Sequence, residues 1–151
     1  MQCNAMEDFK RQISVHLLKR ENGIALLTGT IKDRFHDIVL EVEVSIANLT
    51  ISAISVDFRQ APSPSCQEVA VPLTTLIGMT IGPGMSRQLM VALGGPSGCG
   101  NLRNLLQSLL PLVLNLSAAS GIEDEAEMLT AIHRHLVGTC AGYADTPSDG
   151  K

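Results

Sequence analysis

The chain has no Trp, one Tyr and three Phe, so aromatic residues make up only 3% of it. Its apolar 45% must therefore pack through Leu, Ile, Val, Ala and Met, by shape and volume rather than ring stacking. Charged residues are sparse at 17%, and the 11 Lys and Arg form no stripe in a chain of net charge −4. This excludes the electrostatic footprint of a nucleic-acid binder. No Cys-x-x-Cys pair occurs, which excludes ribbon and finger zinc patterns. No Gly-Lys-Ser/Thr follows the glycine-rich segment, so it is not a P-loop, and it lacks the long preceding strand of a dinucleotide fingerprint. The first eight residues hold neither a basic nor an apolar region and do not read as a signal peptide. The most apolar run, 102–116, contains Arg103, Asn104, Gln107, Pro111 and Asn115 and is short for a membrane span. The expectation is a cytoplasmic protein with no membrane and no nucleic-acid partner, free to form a homo-oligomer or bind another protein. In that compartment the four cysteines are free, metal-bound or catalytic rather than paired.

What is present divides into two halves. Residues 13–20 and 24–31 are β-prone and joined by Glu21-Asn22-Gly23, a strong turn signal. A polar break, 32–37, leads to 38–46, where Leu40, Val42, Val44 and Ile46 alternate with polar residues and bury one face of a strand. After Ala47-Asn48, 49–58 reads as a fourth strand. Links this short imply an antiparallel meander. Beyond Pro64 the period changes. Residues 67–77, 85–93, 101–119 and 122–137 carry helical spacing, with Pro72 disturbing the first and Pro111 expected to kink the third. In 101–119, Leu102, Leu105, Leu106, Leu109 and Val113 form one apolar stripe, expected to pack on the buried face of the third strand. Strands first and helices second make an α+β domain of about four strands covered by C-terminal helices. The 151 residues are read as one domain, ordered from about 13 to 143.

Candidate functional groups fall at the joints between these elements, where folds present chemistry. Cys99 ends Gly94-Gly95-Pro96-Ser97-Gly98-Cys99 and directly precedes the third helical stretch; Cys66 precedes the first. A cysteine at a helix N-terminus meets unpaired backbone N–H groups and the positive end of the helix dipole, surroundings that favour the thiolate used in metal binding and nucleophilic attack. His36 and Asp37 precede the third strand, and Cys140 follows the last helix. Cys66, Cys99, Asp37, His36 and Cys140 are thus a candidate donor set for zinc, iron or an iron–sulfur cluster. The alternatives are a thiol enzyme, with Cys99 as nucleophile and His36 as base, and a non-catalytic binding or assembly module whose cysteines are small core residues. Cys3 reads as incidental. His133 and His135 suit a helix C-terminus better than a shared ligand, because residues two apart face different ways.

These residues also carry a resemblance. Gly29, His36-Asp37, Pro62, Cys66, Leu76-Ile77-Gly78, Ile81, Gly84, then Gly94-Gly95-x-x-Gly98-Cys99-x-Asn101-Leu102 and Gly138-Thr139-Cys140 together resemble a family of uncharacterised bacterial proteins, known as a domain of unknown function. That family's pattern has a His two residues after the cysteine, where this chain has Asn101. A remoter similarity in element order links the chain to iron–sulfur scaffold proteins of the NifU and IscU type. It implies that Asp37, Cys66 and Cys99 correspond to that type's Asp and its second and third cysteines. The first cysteine of that type is missing here, and Gly98 stands where a His would precede Cys99.

Overall fold

The computed structural model describes residues 7–145; Cys3 and the end of the C-terminal tail lie outside them. Four strands, β1 (Gln12–Lys19), β2 (Ile24–Lys32), β3 (Asp37–Ser45) and β4 (Thr50–Gln60), form one antiparallel sheet in sequential order. A 3-10 helix (Pro64–Val69) leads into α1 (Ala70–Thr74), followed by α2 (Met85–Leu93), α3 (Gly100–Leu109), α4 (Leu112–Ala118), α5 (Glu125–Leu136) and a short 3-10 turn (Ala141–Tyr143). The fold is the expected α+β meander with helices C-terminal to the sheet.

The alternation along β2 and β3 decides which face is covered. Ala25, Leu27, Ile31, Ile38, Leu40, Val42 and Val44 are buried, and their neighbours on the other face are not. Opposite this face lies the stripe of α3, with Leu102, Leu105, Leu106 and Leu109 buried. The two surfaces meet closely over β2. A Cβ added to Gly29 would lie 2.9 Å from Leu105 Cγ, so the absence of a side chain there lets the helix approach.

Three boundaries differ from the sequence expectation, each for a local reason. The expected helix over 101–119 is two helices, because Pro111 offers no N–H and α3 ends before it. The helix expected from Gln67 begins earlier, at Pro64. Ser63 caps it by accepting a hydrogen bond from the Ser65 N–H, and Pro64 occupies the first helical position. The third to fourth strand turn spans 46–49 rather than two residues, with Leu49 at φ 55° and the Asn48 side chain accepting from the Thr50 N–H.

The chain divides into two compact units, one up to Val113 and one from Leu114 onward. The first holds the sheet and α1–α3. In the second, α5 is capped by Asp124, whose carboxylate accepts from the Glu127 N–H at 2.9 Å, and has no buried residue.

Candidate functional site

Cys99 is the N-cap of α3, as its position in the sequence implies, with extended backbone and no capping bond from its thiol. The glycines before it are sterically required. A Cβ on Gly94 would lie 2.3 Å from the Met90 carbonyl oxygen, and one on Gly98 would lie 2.0 Å from the Leu93 carbonyl oxygen. Gly95 takes a positive φ of 70°. With no side chain at Gly98, the Cys99 N–H reaches the Leu93 carbonyl at 3.0 Å. The loop thus seats the thiol at the mouth of α3, where helix geometry leaves the first N–H groups unpaired.

Cys66 sits in the first turn of the 3-10 helix, its own N–H bonded to the Ser63 carbonyl at 3.1 Å. It and Cys99 line one cleft of about 350 Å³, both partly exposed. Ser65 and Glu68 stand with Cys66 on one wall; Ser97 and Gly98 stand with Cys99 on the other. The sequence places both cysteines at helix starts; the fold turns those starts toward a common space.

The other candidate residues take different places. His36 and Asp37 are not among the residues lining the cleft. Asp37 opens β3 and lies 3.7 Å from Lys32 Nζ, its cross-strand partner in β2. Cys140 is exposed in the second unit, ahead of the Ala141–Tyr143 turn. Among the described residues, no group of three or more His, Cys, Asp or Glu side chains is arranged to hold a metal ion.

His36 belongs to a closed hydrogen-bonded ring with Arg11, Asp33 and Asn101. Its Nδ1 lies 2.9 Å from Asp33 Oδ1, and a carboxylate can only accept, so Nδ1 carries the proton. In the neutral ring Nε2 then accepts from the Asn101 side-chain amide at 3.3 Å. Asn101 Oδ1 accepts from Arg11 at 2.9 Å, and Arg11 Nε donates to Asp33 Oδ2 at 2.7 Å. Asp33 also accepts from the backbone N–H groups of Phe35 and His36, both at 2.8 Å. Its side chain is 0% exposed. Burial alone would raise its carboxyl. The bonds from the Phe35 N–H, the His36 ring, Arg11 and the His36 N–H outweigh that and hold it well below the usual carboxylate range. Asp33, rather than Asp37, is the acid that positions His36. The ring ties the segment before β1 and the β2–β3 loop to the first turn of α3, two residues beyond Cys99. Sequence reasoning missed Asp33 and Arg11. The one local signal for Asp33 is the Asp-x-x-His spacing across a tight polar break.

No curated protein and no solved structure matches the chain. Neither comparison supports the expected similarity to the iron–sulfur scaffold proteins. Among the described residues no helix is long and apolar enough to cross a membrane. A family model described as protein of unknown function (DUF2889) matches residues 9–114, from the segment before β1 into α4, and the chain belongs to that family.

Proposed function

We infer that the cleft between the 3-10 helix and the glycine loop is the working site, and that its chemistry is thiol chemistry, with Cys99 as the reacting group and Cys66 as its neighbour. The observation that carries this reading is that the two cysteines, far apart in sequence and each seated at a helix start, line the same space. A volume of about 350 Å³ suits a small ligand. Negative charge developing on that ligand, or on the thiol, would be met by the free N–H groups of α3's first turn. His36 does not act as base in this reading, because Nδ1 is committed to Asp33 and Nε2 to Asn101.

A second reading has the cleft take a thiophilic metal, zinc, iron or an iron–sulfur cluster, with Cys66 and Cys99 as thiolate donors. Glu68 lines the same cleft, but the two thiols and this carboxylate are not arranged to hold a metal ion as they stand, so this reading requires the cleft to close around one. Zinc held by four donors would still need a ligand from solvent or substrate.

Iodoacetamide labelling with peptide mapping separates the two. In folded, chelator-treated protein Cys99 should label faster than Cys66. If added zinc protects both together, the metal reading holds; if a zinc series leaves both rates unchanged, the thiol reading stands alone. If Cys99 stays unlabelled while the exposed Cys140 labels readily, Cys99 is a packed thiol and the cleft is not a reactive site.

A further inference from the structure

The two edges of the sheet are treated differently. The β4 edge is covered at its start by residues 78–81: Gly78 N–H donates to the Ile51 carbonyl at 2.8 Å, Ile51 N–H donates to the Met79 carbonyl at 3.1 Å, and Thr50 bridges Thr80. Two register irregularities interrupt the β3–β4 pairing. Among the described residues, the β1 edge carries few of the devices that usually keep an edge from pairing, Lys19 at its end being one. It has no Pro, its register with β2 is unbroken for eight residues, and between Gln12 and Leu18 it has no Lys, Arg, Asp or Glu. Ile13 is 57% exposed and Val15 38% exposed. Both point to the helix-covered face, since they stand opposite Ile31 and Gly29.

The hairpin fixes which backbone groups are free. Arg20 N–H donates to the Ile24 carbonyl, so the even-numbered residues of β1 turn their backbone bonds toward β2. By the alternation of an antiparallel pair, Ile13, Val15, Leu17 and Lys19 turn theirs outward. This set is symmetric about His16.

We propose that β1 is a homodimer interface, pairing antiparallel with β1 of a second copy about a two-fold axis through His16. Ile13 then stands opposite Lys19 of the second copy and Val15 opposite its Leu17. All four outward-facing residues find backbone partners, and the apolar row on the helix side continues across the axis. A second copy fits this edge because the register that pairs the free backbone groups also sets Val15 against Leu17, apolar against apolar, on both sides of the axis. The proposal does not depend on the chemistry of the cleft.

Two substitutions test it in the full chain. Val15→Pro removes an N–H that β2 does not use, and an edge position tolerates proline. Sedimentation velocity should show a dimer for the natural protein. For Val15→Pro it should show a monomer with unchanged circular dichroism. A natural protein that stays monomeric across a micromolar-to-millimolar series overturns the proposal, as does a dimeric Val15→Pro. The register is read by cross-linking. His16 faces its own copy in a non-hydrogen-bonded pair, where Cα atoms lie about 4.5 Å apart, within disulfide reach. His16→Cys should form covalent dimer under mild oxidant beyond the level of the natural protein, whereas Leu18→Cys, displaced from its own copy, should not. Equal cross-linking of the two variants overturns the two-fold at His16.

Discussion

At the scale of the residue, Gly98 and Asp33 show how much of the site is built by what surrounds the thiol. Leu93's carbonyl oxygen accepts from the Cys99 N–H and lies 2.0 Å from where a Cβ of residue 98 would stand. Gly98→Ala must therefore push the loop away from α2, and overpacking of this kind costs about 1–3 kcal/mol. Gly100→Ala is the matched control, since its added Cβ meets nothing nearer than 3.9 Å. Urea unfolding should show a clear loss for the first and little change for the second. If both variants unfold at the same midpoint, the loop is not held by that carbonyl. Asp33 makes a pH prediction. Its folded carboxyl lies below the unfolded value of about 3.9, so its contribution is complete above that value and is lost as pH falls below it. Asp33→Asn keeps the shape but loses charge-assisted bonds, worth roughly 1–3 kcal/mol. The gap in unfolding free energy between the two proteins should be constant from neutral pH to about 5 and should shrink below about 4. A gap that persists unchanged into strong acid would mean that Asp33 is held by shape rather than by charge.

At the scale of the element, the apolar stripe of α3 against the sheet is where sequence pattern and packing coincide. Leu106 is 0% exposed, so Leu106→Ala should cost roughly 2–5 kcal/mol in denaturant unfolding. A loss well under one kcal/mol would show that the helix repacks without it. The stripe was legible because each of its residues responds to one requirement, the covering of β2 and β3, which repeats at the helix period. The strands were legible for the same reason, at the period of two. Helix ends were harder. Ser63-Pro64 outweighs the apolar spacing that starts at Gln67, and Pro111 divides a stripe whose periodicity runs through it. The Asp33 ring was least legible. Arg11 is 22 residues from Asp33 in sequence and 90 from Asn101, and no local pattern encodes a bond between them. A buried carboxylate looks like any loop Asp until its partners are known. The shared cleft lay between these cases. Each cysteine was visible as a helix-start residue, but their lining one cleft depends on how the 3-10 helix and the glycine loop turn.

At the scale of the whole molecule, burial is unevenly distributed along the chain. Every buried apolar side chain among the described residues falls between Ala25 and Val113, within the first unit. The second unit has to hold α5 by other means. Asp124 caps it, Glu125 and Glu127 stand in its first turn, and His133, Arg134 and His135 stand in its last, each suited to the helix dipole. Such terms are worth about 0.5–1 kcal/mol apiece, against roughly 1.5–3 kcal/mol for each large side chain fully buried in the first unit. A twelve-residue helix whose apolar face, Met128, Ala131, Ile132 and Leu136, is only half-buried is marginal. The amides of β2, β3 and α3 should therefore exchange with deuterium only through global opening, while those of α5 exchange through local opening at much lower cost. Asp124→Ala should speed exchange in α5 by roughly tenfold, the effect of about 1 kcal/mol, and leave β2 and β3 unchanged. Protection of α5 equal to that of β3 in the natural protein would show that a covering surface stabilises the helix, and that its cap and charges are not what hold it.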